Sequence, residues 1–324
     1  MKAALCKSLD GPDGIVVETL PDPEPARGEV LIRVKAAALN FFDTLITRGK
    51  YQHRPEPPFS PAGEVAGIIE KVGADVDEFK VGQRVCAYLG WGGARELVAL
   101  VPERVIAIPD NVSFEVAAGL NVTYGTAMHG LKIRGRLQAG ETVAVLGAAG
   151  GAGLAAVEVA KLMGAKVIAT ASTAEKLAVC KEHGADFLLN YTEADLKQGL
   201  RDLTNGRGVD VTYDCVGGDS TEAALRSMAW GGRHLVVGFA AGSIPRVPVN
   251  LLLLKGCEVI GVFWGEAARR DPLSHKSNIA SVLGWVASGK LSPHIHAALP
   301  LAETPAAIAL LDRREATGKV VLQL

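Results

Sequence analysis

The chain has 324 residues, 48% of them hydrophobic and 21% charged, with 34 Lys plus Arg against 35 Asp plus Glu. That length exceeds one ordinary core and implies two domains. The composition is not that of a disordered chain, and the near-neutral charge leaves no basic field for a nucleic-acid partner.

Five cysteines, Cys6, Cys86, Cys180, Cys215 and Cys257, are scattered without a C-x-x-C pair, which suits reduced thiols in a cytosol. Lys2 and Lys7 interrupt the N-terminal apolar residues, so no signal peptide is expected. The most apolar stretch, residues 144–160, contains several glycines and Glu158. It reads as a buried strand, a turn and a helix, and no membrane insertion is expected.

In chain order, the first third reads as short strands broken by Gly and Pro: residues 29–36 (EVLIRVKA), 63–72 (GEVAGIIEKV) and 83–88 (QRVCAY). These predict a rolled β domain with proline-stiffened loops at 21–25 and 55–61. From about Asn121, apolar strands alternate with helical stretches, which predicts parallel βαβ units. Strands are expected at 142–146, 166–170, 187–190, 209–215, 234–239 and 258–262, with helices beginning near Gly151, Thr173, Glu193 and Thr221. After Gly265 the chain reads as helical until a closing strand at 319–324, which is expected to return to the first domain. The fold class is α/β, with a catalytic β domain from 1–120 and 266–324 and a doubly wound six-stranded sheet from 121–265.

The strand at 142–146 runs into a glycine turn, residues 147–153, that opens a helix. A pyrophosphate needs bare backbone amides and the positive end of a helix, and a Cβ at the closest approach would hold it off. Gly150, Gly151 and Gly153 give that access, with Ala152 between them, although Ala148 stands where the usual fingerprint begins with glycine. The second strand ends in Ile168, Ala169, Thr170, Ala171 and Ser172 with no acid at its tip, and Lys176 follows. A carboxylate there would select NAD through the ribose hydroxyl; Ser172 and Lys176 instead suit a 2′-phosphate, so NADPH is the expected cofactor.

The glycine turn, together with residues 123–127 (TYGTA), 39–43 (LNFFD), 61–67 (PAGEVAG), 237–239 (VGF) and 316–322 (ATGKVVL), resembles the zinc-free quinone oxidoreductases of the medium-chain dehydrogenase/reductase superfamily. The resemblance implies a GroES-like β domain with a Rossmann domain inserted, an active site in the cleft between them, and a homodimer or homotetramer. It places Asn40 and Asp43 beside nicotinamide and substrate, with Tyr51 lining the same pocket. Thr126 and His129 would flank the cofactor, Ser172, Lys176 and Tyr191 would hold the adenosine phosphate end, and Arg314 would approach the same cofactor. Gly238, Phe239, Phe263 and Trp264, at the ends of the fifth and sixth strands, would border the nicotinamide.

Zinc-dependent relatives need cysteine and histidine ligands that this chain does not provide at Ala62, Gly63 and Glu64 or in the loop after Cys86. His294 and His296 form the one close histidine pair and read as surface. Without a metal, an unactivated alcohol is a poor substrate, whereas a quinone or conjugated enone takes hydride directly and spreads the charge onto an oxygen that Asn40 or Tyr51 can reach. The expected function is NADPH-dependent reduction of a quinone or other conjugated carbonyl. Reduction of enoyl thioesters or alkenals, and NADPH binding with little turnover, stand as alternatives.

Overall fold

The computed structural model describes residues 1–324. The chain divides into two compact units, one formed by Met1–Val122 with Gly265–Leu324, the other by Thr123–Trp264.

The first unit opens with β1 (Lys2–Cys6), β2 (Ile15–Thr19), β3 (Val30–Leu39), α1 (Phe41–Ile46), β4 (Glu64–Val72), β5 (Arg84–Tyr88), β6 (Leu97–Leu100), β7 (Val105–Ala107) and α2 (Phe114–Ala118). The second unit contributes α3 (Thr123–Ala127), β8 (Thr142–Leu146), α4 (Gly151–Leu162), β9 (Lys166–Ala171), α5 (Ala174–Glu182), β10 (Phe187–Asn190), α6 (Leu196–Leu203), β11 (Val209–Asp214), α7 (Asp219–Arg226), β12 (Met228–Val236), α8 (Asn250–Lys255) and β13 (Glu258–Gly261). After α9 (Trp264–Arg270) the chain completes the first unit with α10 (Pro272–Ala287), β14 (Ile295–Pro300), α11 (Thr304–Asp312) and β15 (Lys319–Gln323).

The first unit is a rolled, mostly antiparallel sheet in the order β14-β15-β3-β4-β5-β7, with β6 also on β3. β3 is buried along almost its whole length because β4, β6 and β15 all pair with it; only Arg33 and Lys35 are half-buried, so the alternation in its sequence marks two polar side chains rather than a solvent face. Residues of β3, β4, β5 and β15 share one core cluster, with Ile32, Val65, Val85 and Leu322 wholly enclosed. The closing strand does return here, pairing antiparallel with β3 and parallel with β14. β14 was not legible as a strand, since its alternately exposed residues follow a stretch that reads as helix and turn.

The second unit is a parallel sheet in the order β10-β9-β8-β11-β12-β13, which is the doubly wound Rossmann order. Its central strands are almost wholly buried; β8 is an apolar run after Thr142, whereas β11 carries Asp210, Thr212, Tyr213 and Asp214. β12 starts at Met228, earlier than expected, with exposed Trp230 and Gly231 in a region that does not read as strand. Tyr124 of α3 donates to Glu158 of α4, whose other oxygen lies 2.8 Å from His183 Nδ1. No helix is long and apolar enough to cross a membrane.

Gly67 marks the tightest crossing of β4 over β3, where a Cβ would stand 2.1 Å from the Arg33 carbonyl oxygen. Neither backbone can yield without breaking ladder bonds, so Gly67→Ala is expected to destabilise the protein by about 2–3 kcal/mol, read as a lower urea midpoint with an unchanged slope.

Candidate active site

In the second unit, α4 begins at the carboxyl end of β8. Its N-cap is Gly150, which has no side chain to cap the first turn, and that turn carries no acid. The glycines there serve different ends. A Cβ on Gly153 would fall 2.2 Å from the Gly147 carbonyl oxygen, so Gly153 is required for the helix to pack on its own strand. A Cβ on Gly150 would meet nothing nearer than that oxygen at 3.6 Å, so this position opens outward. Gly150, Gly151 and Ala152 are each partly exposed. Bare first-turn amides at an open helix N-terminus fit a pyrophosphate.

The tip of β9 forms the neighbouring corner. Thr173 caps α5 by accepting from Lys176 N at 3.3 Å, which brings Lys176 into the first turn. Tyr191 N donates to the Ala171 carbonyl at 3.2 Å, and Thr192 Oγ1 donates to the Ser172 carbonyl at 3.2 Å. The structure therefore gathers Ser172, Lys176 and the half-exposed Tyr191 at one place; the acid nearest in sequence, Glu175, lies on α5 rather than at the strand tip.

At the ends of β12 and β13 the expected residues separate. Val237 N and Gly238 N both donate to the Asp214 carbonyl, which fixes the chain leading to Phe239, itself 38% exposed. Phe263 is exposed, but Trp264 turns inward: a Cβ at Gly125 would meet its indole Nε1 at 2.7 Å. Trp264 packs behind α3. Thr126 and His129 lie on α3 and the helical turns after it, both half-buried, and burial, with Arg134 nearby, holds the His129 imidazole below its usual pKa.

The polar centre of the first unit is built around Glu64, which is wholly buried. Its Oε1 accepts from Asn40 Nδ2 at 2.9 Å and Lys319 Nζ at 2.8 Å, and its Oε2 accepts from Val122 N at 2.8 Å. Lys319 also donates to Asn40 Oδ1 at 2.7 Å and the Leu39 carbonyl at 3.1 Å, using all three ammonium protons. Sequence reasoning assigned Glu64 and Lys319 no role. A lysine opening a closing strand reads as solvated, and nothing local signals a partner 255 residues away.

Asp43 stands beside Asn40. Its carboxylate is fully buried and accepts from Asn40 N at 2.8 Å and Ala62 N at 2.9 Å, forming a capping box with Asn40 at the start of α1. It fixes the Asn40 backbone. Burial pushes its pKa up to about 7, against the two backbone donors and Lys319. Tyr51 lies partly buried, stacked on Phe42 at 5.4 Å, and its phenolic oxygen takes part in no hydrogen bond within the protein. Burial, then the nearby Asp43, raises the phenol's pKa, so it remains a proton donor. Arg314 closes α11 in the left-handed conformation, φ +57°, with its side chain exposed on the first unit.

No group of three or more His, Cys, Asp or Glu side chains converges as a metal site. Cys86 is buried, and burial pushes its thiol up to about 12. His294 Nε2 and His296 Nδ1 both lie against Thr317 Oγ1, at 3.2 and 3.3 Å.

Two measurements test this centre. Lys319→Met leaves Glu64 buried without its counter-ion and is expected to lower stability by roughly 3–5 kcal/mol, part of which Glu64→Gln restores in the double variant. Folding raises the Asp43 pKa, so its contribution is full below about pH 4 and is lost as pH rises through about 7. Urea unfolding between pH 4 and 8 is expected to show this loss in the wild type and not in Asp43→Asn.

Two family models match the chain: the alcohol dehydrogenase GroES-like domain over residues 26–110 and the zinc-binding dehydrogenase domain over residues 151–278. Quinone oxidoreductase-like protein 2 of Bos taurus is 39% identical over 325 residues, covering 100% of this chain and 92% of its own. Escherichia coli quinone oxidoreductase complexed with NADPH superposes with a TM-score of 0.91 at 29% identity, covering 100% of both chains. A mycobacterial protein complexed with NADPH does so with a TM-score of 0.92 at 32% identity, again over 100% of both chains. With a rolled β unit, a Rossmann sheet in doubly wound order and quinone oxidoreductase relatives matched over nearly their full length, the chain belongs to the quinone oxidoreductase-type medium-chain dehydrogenase/reductase family.

Proposed function

We propose that this protein is an NADPH-dependent oxidoreductase that passes a hydride to a quinone or other conjugated carbonyl acceptor without zinc. The observation that carries the reading is the open, uncapped glycine N-terminus of α4 beside a strand tip that presents Ser172 and Lys176 where an NAD site would hold a carboxylate. The NADPH complexes of the Escherichia coli and mycobacterial relatives support it.

When bound, the dinucleotide supplies the hydride. The amides of residues 150–153 hold its diphosphate, and Ser172, Lys176 and Tyr191 hold the 2′-phosphate. Thr126, His129, Gly238, Phe239 and Phe263 are the flanking contacts. On the acceptor side, Asn40 is locked by Glu64 and Lys319, so its remaining amide proton has a fixed direction, while Tyr51 offers an unengaged hydroxyl. Both can stabilise negative charge on a carbonyl oxygen, and Tyr51 can pass it a proton. A conjugated acceptor delocalises that charge, which is why buried hydrogen-bond donors suffice without a Lewis acid.

Steady-state NADPH oxidation with benzoquinones, enones and an enoyl thioester tests the reading. A quinone is expected to give the highest kcat/KM, unchanged by a zinc chelator; NADPH bound tightly with no turnover on any acceptor would reject it. Lys176→Glu is expected to lower the preference for NADPH over NADH by roughly tenfold to a hundredfold, the worth of one charge-assisted hydrogen bond. Tyr51→Phe should reduce turnover on enones by about tenfold or more if its hydroxyl donates the proton.

A further inference from the structure

Asp214, the last residue of β11, is buried and has no part in the chemistry above. Its Oδ1 accepts from Val216 N and Gly217 N, both at 2.9 Å, and its Oδ2 accepts from Thr221 Oγ1 of α7 at 2.6 Å. His234, wholly buried on β12, brings its Nε2 to 3.2 Å from the same Oδ2. Burial opposes the charge, but His234, the Gly217 amide and the Thr221 hydroxyl together hold the carboxyl below its usual pKa.

Those bonds shape two loops. The Asp214 side chain sets residues 215–218, where Gly217 and Gly218 take φ of +70° and +59°, while its carbonyl receives Val237 N and Gly238 N at 2.9 and 3.1 Å. The loops are also tied to each other, by Ala240 N to the Cys215 carbonyl at 3.1 Å and Ala241 N to the Val216 carbonyl at 2.8 Å. A Cβ on Gly217 would stand 2.8 Å from the Phe239 ring, and a Cβ on Gly147 would stand 2.9 Å from the Val216 side chain. The first loop therefore backs Phe239 on one side and leans on the glycine turn on the other.

Sheet order says which part of a dinucleotide these loops meet. β9 carries the Ser172 and Lys176 corner, β8 beside it carries the glycine turn, and β11 and β12 come next. A dinucleotide with its 2′-phosphate at β9 and its diphosphate at β8 brings its nicotinamide over the carboxyl ends of β11 and β12. We propose that Asp214 is a positioning residue for the nicotinamide half of the cofactor. It does not touch the ligand; it holds Gly238 and Phe239 in place through the two loops. This rests on the NADPH reading above.

The experiment measures, by titration calorimetry, the Kd of NADPH and of 2′,5′-ADP, which lacks the nicotinamide half, in wild type and Asp214→Asn, together with the urea midpoint of each. NADPH binding is expected to weaken roughly tenfold, about what one hydrogen bond to a charged group is worth, with 2′,5′-ADP binding unchanged. A residue that serves stability alone would lower the urea midpoint and leave both affinities as they were. That outcome, or an equal loss for both ligands, would overturn the proposal. Thr221→Val keeps the side-chain volume and removes one donor; it is expected to show the same selective loss, smaller in size, and it decides the matter if Asp214→Asn does not fold. Wild type that binds neither ligand would instead reject the NADPH reading, and the role of Asp214 with it.

Discussion

Glu64 sits wholly out of water, and a carboxylate in that position is tolerated only where charge and hydrogen bonds replace its lost hydration. Its replacements come from three separated parts of the chain: Asn40 at the start of α1, Val122 at the end of the N-terminal segment, and Lys319 at the start of β15. The same contacts that satisfy Glu64 fix the Asn40 side chain, and the Asp43 capping box fixes its backbone. The Asn40 amide is thus held in one direction before any ligand arrives, which is the preorganisation that the proposed acceptor role requires.

The second unit solves a different problem. A dinucleotide must come close to backbone, so the turn after β8 gives up side chains where the ligand lies and where the helix crosses its strand. Gly153 answers to the second need and Gly150 to the first. Ala148 faces Gly153 at the crossing, where a Cβ on Gly153 would fall 2.8 Å from its Cα, so the side chain given up there is that of residue 153.

Much of this was legible in the sequence. Strand β8 is wholly buried and appears as an apolar run, and the glycine turn lies between it and its helix. What escaped were features that depend on distant partners. Asn40 and Asp43 three residues later carry a capping-box pattern, yet the family likeness drew both toward the substrate; the structure keeps Asn40 at the polar centre and withdraws Asp43 into the backbone. Trp264 read as a ligand contact because it follows a strand end, but only the absence of a side chain at Gly125 makes room for its ring. Lys319 was invisible for the same reason in reverse, its partners lying at the opposite end of the sequence.

β15 is an interior strand of its sheet, flanked by β14 and β3, although it is made after both of them. During synthesis Asn40 and Glu64 therefore wait for Lys319 while the whole of residues 123–264 emerges, and that intervening stretch has every strand it needs to fold on its own. The edge of β3 at residues 36–39 therefore lacks its β15 partner until that strand has been made.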